Sequence, residues 1–180
     1  MSVGRNLFTL TMLSDGRVLA AGGGSTDGPW LSSAEVYDPA SNTWTATGPM
    51  TTGRAMHTAT LMQDGRVLVV GGAGKAASTS AEIYDPATDT WTSAGNTTNQ
   101  RLEHAEALIG DGRVLVVGGV GDDGQSEIYD PATGIWSLGP KMSETRYRFT
   151  ATTLQDGSII VIGGQSTNKV LHTAEIYTPQ

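Results

Sequence analysis

Asp64-Gly65-Arg66-Val67-Leu68-Val69-Val70-Gly71-Gly72 reads as a turn, a strand and a stop. Asp-Gly between two apolar runs is a strong hairpin signal, since glycine supplies the positive φ of a two-residue turn without a steric cost. Val67 to Val70 is apolar without alternation, as expected of a strand covered on both faces by neighbouring sheets. The glycine pair that follows permits close backbone approach where a side chain would collide with the next sheet.

The stretch recurs. Asp15 to Leu19, Asp111 to Leu115 and, more loosely, Asp156 to Ile160 repeat the turn and strand. Glycine pairs follow at Gly22-Gly23, Gly118-Gly119 and Gly163-Gly164, so that successive pairs step by 49, 47 and 45 residues. A fixed period of this size signals a stack of similar units, each too small to bury its own apolar faces.

A third strand is read in Glu35-Val36-Tyr37, Glu82-Ile83-Tyr84, Glu127-Ile128-Tyr129 and Glu175-Ile176-Tyr177. In the first three copies Asp-Pro then starts a turn, with aspartate bonding to the backbone and proline fixing φ. A fourth strand carries Trp44, Trp91 or Trp136, seven residues after the tyrosine. Each unit is therefore expected to be a four-stranded antiparallel sheet.

Paired glycines followed by Tyr and Trp seven apart, at this period, resemble the kelch repeat of β-propellers, of the bacterial type also similar to the central propeller of galactose oxidase-like proteins. The resemblance spans practically the whole chain and implies an all-β, kelch-type β-propeller of four blades. The expected boundaries are 1–49, 50–96, 97–141 and 142–180, the last blade lacking its outer strand. Kelch propellers usually close with more than four blades. The chain is therefore expected to be either a segment of a longer parent propeller or a half-ring completed by a homodimer.

Composition narrows the function. Eleven basic against eighteen acidic side chains give a formal charge of -7, which repels phosphate backbones and anionic lipid surfaces. No nucleic acid and no membrane partner is expected. No run approaches the roughly 18 apolar residues of a membrane span, and no signal peptide is read at the N-terminus. A soluble chain is expected, and the parent's compartment, secreted or cytoplasmic, stays open. The chain has no cysteine, which excludes disulfides, thiolate metal sites and the tyrosine-cysteine cofactor that galactose oxidase-like proteins carry.

The repeat also sorts the candidate residues. Arg5, Arg54, Arg101 and Arg146 occur once per unit, as do Glu35, Glu82, Glu127 and Glu175, so they read as scaffold pairs. His57 and His104 share one position with Phe8 and Phe149, at the entrance to the first strand. In propellers resembling this one that strand is innermost, so these four are candidate ligand contacts at the channel mouth or, on the alternative reading, packing groups near the axis. Two histidines without a third ligand do not define a metal site. The connection after the glycine pair varies from unit to unit, as functional loops on a rigid scaffold do. The first, Gly24 to Ser33, holds Asp27 and an extra Trp30, which either anchors a sugar or protein partner or folds back on the next unit. In the third, Asp122 and Asp123 are candidate ligand or calcium oxygens without the alternating spacing of a dedicated loop.

No catalytic signature, cofactor motif or metal set is visible. The expected function is a non-catalytic binding module for a protein or glycan ligand. Part of a carbohydrate-active or metal-dependent enzyme, and a self-assembling structural segment, are the alternatives.

Overall fold

A computed structural model describes residues 1–25 and 28–179. Asp27, in the first variable loop, lies outside the described residues. These hold strands, turns and loops only, and no helix is long and apolar enough to cross a membrane.

Three sheets have four strands in chain order: β1 (Thr9–Met12), β2 (Val18–Ala21), β3 (Ala34–Asp38) and β4 (Thr43–Ala46); β5 (Thr58–Leu61), β6 (Val67–Val70), β7 (Ser80–Asp85) and β8 (Thr90–Asn96); β9 (Ala105–Leu108), β10 (Val114–Val117), β11 (Gln125–Asp130) and β12 (Ile135–Lys141). The fourth sheet pairs β13 (Thr150–Thr153), β14 (Ile159–Ile162) and β17 (Ala174–Tyr177). A short ribbon, β15 (Gln165–Ser166) with β16 (Lys169–Val170), lies between its second and third strands. All pairing is antiparallel. The innermost strands β1, β5, β9 and β13 lie side by side in that order, so the sheets are propeller blades around one axis. The glycine signature, the tryptophan strand and the missing outer strand of the last blade all stand as the repeat implied.

The turn joining the first two strands differs from the two-residue hairpin expected. Leu13 N–H donates to Arg17 O at 2.8 Å and Gly16 N–H to Leu13 O at 3.0 Å, with only Gly16 at positive φ. This is a three-residue connection in which glycine takes the left-handed position. Asp15 accepts from the Arg17 N–H at 3.0 Å and from its Nε at 2.7 Å, which explains why Asp-Gly-Arg recurs as a triplet.

The core consists of three layers, one between each pair of adjacent sheets. Leu19, Ala21 and Val36 of the first sheet meet Val67, Val69 and Tyr84 of the second. Leu68, Val70 and Ile83 of the second meet Val114, Val116 and Tyr129 of the third. Leu115, Val117 and Ile128 of the third meet Ile159 and Val161 of the fourth. Neighbours in β6 thus serve opposite layers, which is why Val67 to Val70 shows no alternation. In the first three blades the tyrosine of strand three faces the tryptophan of strand four across the ladder, with ring centroids 5.0 to 5.1 Å apart.

Two faces are left without a layer. On the first sheet Leu10 and Met12 are 61% and 69% exposed, and on the fourth Ile162 and Ile176 are 50% and 62% exposed. Truncation should report this directly. Leu68→Ala, in a filled layer, is expected to cost about 2–5 kcal/mol, whereas Leu10→Ala should stay within about 0.5 kcal/mol; urea unfolding of the two variants checks the contrast.

Candidate functional site

The antiparallel order gives each blade two unlike ends. One end holds the β1–β2 and β3–β4 turns and their equivalents, which are nearly the same in the first three blades: Arg17, Arg66 and Arg113 pair with Asp15, Asp64 and Asp111. The other end holds the connections between blades and the loops that follow the glycine pairs, where sequence and length vary. Every candidate site residue lies at this second end.

Its frame is a buried clamp in each blade. Arg54, in the connection before β5, donates from Nη1 to Gly71 O at 2.8 Å and Ser80 O at 3.0 Å, and from Nη2 to Glu82 Oε1 at 2.7 Å. Glu82 in turn accepts from the Thr51 and Thr52 N–H groups at 2.6 and 3.2 Å. Arg5 with Glu35, Arg101 with Glu127 and Arg146 with Glu175 repeat the pairing at 3.2, 2.7 and 2.8 Å, every arginine side chain being fully buried. Burial alone would raise the Glu35 carboxyl, but bonds from Ser2 and Arg5 hold it below the usual range. In the third blade Asp122 adds a second carboxylate to Arg101, at Nη1 and 3.3 Å, on the nitrogen that meets the Ser33 and Ser80 carbonyls in the first two blades. Asp123 stays at the surface beside Asn99 and Lys141. Among the described residues no three His, Cys, Asp or Glu side chains are grouped to hold a metal ion.

His57 and His104 are buried at the joints between blades. His57 Nε2 lies 3.0 Å from the Thr9 hydroxyl of the preceding blade, and His104 Nε2 lies 2.7 Å from the Thr58 hydroxyl. Burial, with the Arg54 charge behind it, pulls His57 down to about 3; burial, Arg101 and His57 do the same to His104, also to about 3. Both rings are neutral at physiological pH. Phe8 and Phe149 occupy the corresponding positions half-buried. The sequence reading passed over Glu106, although it is the one charged residue within an innermost strand. Its carboxyl oxygens are buried without a well-formed hydrogen bond. Burial pushes its pKa up to about 8, against the pull of the nearby Thr58 and Thr60 hydroxyls.

Around the mouth, the residue just before each of these four, namely Leu7, Met56, Glu103 and Arg148, has a φ of 53–55°. A left-handed conformation in such side chains is uncommon and costs about 1–2 kcal/mol per residue. The Met56 N–H donates to Leu7 O and the Arg148 N–H to Glu103 O, each at 2.9 Å, tying adjacent blades. The side chains project as a rim, apolar at Leu7 and ion-paired at Glu103–Arg148, 2.8 Å apart. Trp30 lies beyond this rim. Its ring edge rests over Gly24 and its carbonyl abuts Gly53 of the next blade, while the ring stays partly exposed. Val120 and Val170, on the third and fourth variable loops, are exposed as well. Between these two loops an open cleft of about 560 Å³ is lined by Glu103, Val120, Asp122, Tyr147, Arg148 and Thr167, among others.

The family model described as the kelch motif matches residues 12–51 and 54–98. No curated protein matches the chain.

Two outcomes test this frame. Arg101→Ala leaves Glu127 and Asp122 buried without their cation and is expected to cost about 3–5 kcal/mol; an unchanged melting temperature would remove the clamp from the account. Glu106 keeps its proton in the fold to about pH 8, whereas the unfolded chain releases it near the ordinary 4.5, so its contribution to stability is lost as pH rises through that window. Glu106→Gln is therefore expected to melt progressively higher than the wild type as pH goes from 5 to 8, the gap widening by on the order of 5 °C in thermal scans.

Proposed function

Because this chain belongs to the kelch-repeat β-propellers, a family whose propellers commonly serve as protein-interaction modules, we propose that its variable end is a non-catalytic docking face for a protein. One observation carries this reading: at that end the blades share their buried clamp but differ in every exposed feature. Leu7, Trp30, Val120 and Val170 place exposed apolar side chains there, and the Glu103–Arg148 pair adds a charged border. The opposite end repeats one ion-paired turn in three blades, with no such difference between them. Apolar anchors within a polar rim are the composition of a protein interface, and tryptophan is prominent among the side chains that dominate binding energy.

A glycan is the second reading, because a partly exposed tryptophan ring also offers a stacking face for a sugar. Catalysis has less support. The buried His57, His104 and Glu106 sit at the joints between blades and line no part of the cleft between the third and fourth variable loops, while the buried Asp122 and Arg146 that do line it are tied up in ion pairs with Arg101 and Glu175.

The immobilised chain should retain a protein partner, and Trp30→Ala should weaken retention at least tenfold with its melting temperature unchanged, while Arg66→Ala at the opposite end leaves retention intact. Loss on Arg66→Ala but not on Trp30→Ala would move the docking face to the other end. Trp30-dependent binding on a glycan array, without protein retention, would select the sugar reading.

A further inference from the structure

The three joints between blades are not interchangeable. The first residue of each innermost strand, namely Thr9, Thr58, Ala105 or Thr150, lies opposite the last residue of strand two, the same register position in every blade. The residue just before the innermost strand of the following blade packs onto it. Where that residue is histidine, the preceding blade supplies a hydroxyl: Thr9 for His57 and Thr58 for His104. Where it is Phe149, the preceding blade supplies Ala105, in the layer on which Phe149 packs. The pairing follows from desolvation. Each buried imidazole gains a partner at Nε2 from the threonine hydroxyl, its Nδ1 making no well-formed hydrogen bond among the described residues, and a hydroxyl enclosed against a phenyl ring would have no partner at all.

The fourth blade ends this series on Thr150, which is exposed. Other groups on the same face are in the same condition. Gly23, Gly72 and Gly119 donate their N–H to the carbonyl of Arg54, Arg101 and Arg146 in the following blade, but Gly164 has no such acceptor among the described residues. A Cβ on Gly22, Gly71 or Gly118 would run into that same arginine carbonyl, whereas at Gly163 it would meet only Leu171 O, at an ordinary contact distance of 3.7 Å. Ile162 and Ile176 complete an apolar face with the donor and the gap that every earlier blade offers to a successor, and with the hydroxyl that the first and second blades offer.

We propose that this face receives a further kelch sheet that carries histidine over Thr150. The first blade of a second copy is the mismatched occupant, since it would bring Phe8 onto the threonine hydroxyl. By the same rule the open face of the first blade, with Phe8 at its edge, takes a sheet whose corresponding residue is small and apolar, as Ala105 is.

The test lengthens the full chain. Tyr177-Thr178-Pro179 matches Tyr37-Asp38-Pro39, so a copy of residues 41–86 appended after Gln180 continues the repeat. It supplies an outer strand for the fourth blade and a next sheet bearing the copied His57. The lengthened chain should melt above the 180-residue chain. His57→Phe in the copy should remove much of that gain. Thr150→Ala should then stabilise the phenylalanine version and destabilise the histidine version, with a coupling of at least tenfold in the unfolding constant by a double-mutant cycle. No gain from either extension, or no coupling, overturns the proposal; a phenylalanine extension equal to or better than the histidine one overturns it in favour of a second copy. The same cycle at Thr58 and His104, within the existing fold, must also show coupling, and its absence would remove the matching rule itself.

Discussion

A buried guanidinium on each blade, paired with a carboxylate on strand three, holds the parts of this structure that the strands alone do not position. Backbone ladders fix each sheet internally, and apolar layers press one sheet on the next, but neither defines where the long connections run. The arginine closes that gap. In the second blade, Arg54 joins the connection before β5 to the end of β6, to the start of β7 and to Glu82, which returns to grip the N–H groups of Thr51 and Thr52. Charges removed from water are expensive unless their hydrogen bonds are made, and here most of them are. The result is a fixed backbone exactly where the chain would otherwise be loose, and the exposed side chains of the variable end stand on it.

The strands, their order and the blade count were legible because each is written locally and then repeated. Val67 to Val70 announces a doubly covered strand by itself, and Gly71-Gly72 announces the close approach of the next blade. The clamp was legible too, because arginine and glutamate recur in register. The turn type was not, since Asp-Gly serves both two- and three-residue hairpins and only Asp15's bonds to Arg17 decide between them. Nor did position alone reveal the surroundings of the candidate ligand residues. His57 and His104 lie at the entrance to innermost strands, yet that entrance is a joint between blades, so the rings are enclosed rather than presented. Asp122 and Asp123 are adjacent in sequence and separated in role, one drawn in by Arg101 and the other left in solvent. Glu106 carried a usable signal, a lone charge within an innermost strand, but a single occurrence has no repeat to set it apart.

The two ends of the blades divide labour along the lines of the repeat. Whatever is the same in every blade is spent on the fold, and whatever differs is exposed at one end. The joints are an intermediate case. In the Thr–His and Ala–Phe pairs one partner is buried and the other half-buried, and the pairs are structural, yet they distinguish one neighbour from another, so order among blades is encoded alongside stability. This is the arrangement expected of a stacked architecture in which each unit contacts only its neighbours.

The left-handed backbone at Leu7, Met56, Glu103 and Arg148 bears on how such a surface diversifies. Its conformational cost belongs to the main chain and is similar for the unbranched side chains found there, whereas glycine, asparagine and aspartate pay less, β-branched residues more, and proline is shut out. Exchanging one of these residues for another therefore leaves the folding balance almost untouched while rewriting the chemistry displayed around the axis. Four adjacent blades offer four such letters at equivalent places, an alphabet that mutation can sample at little risk to the fold.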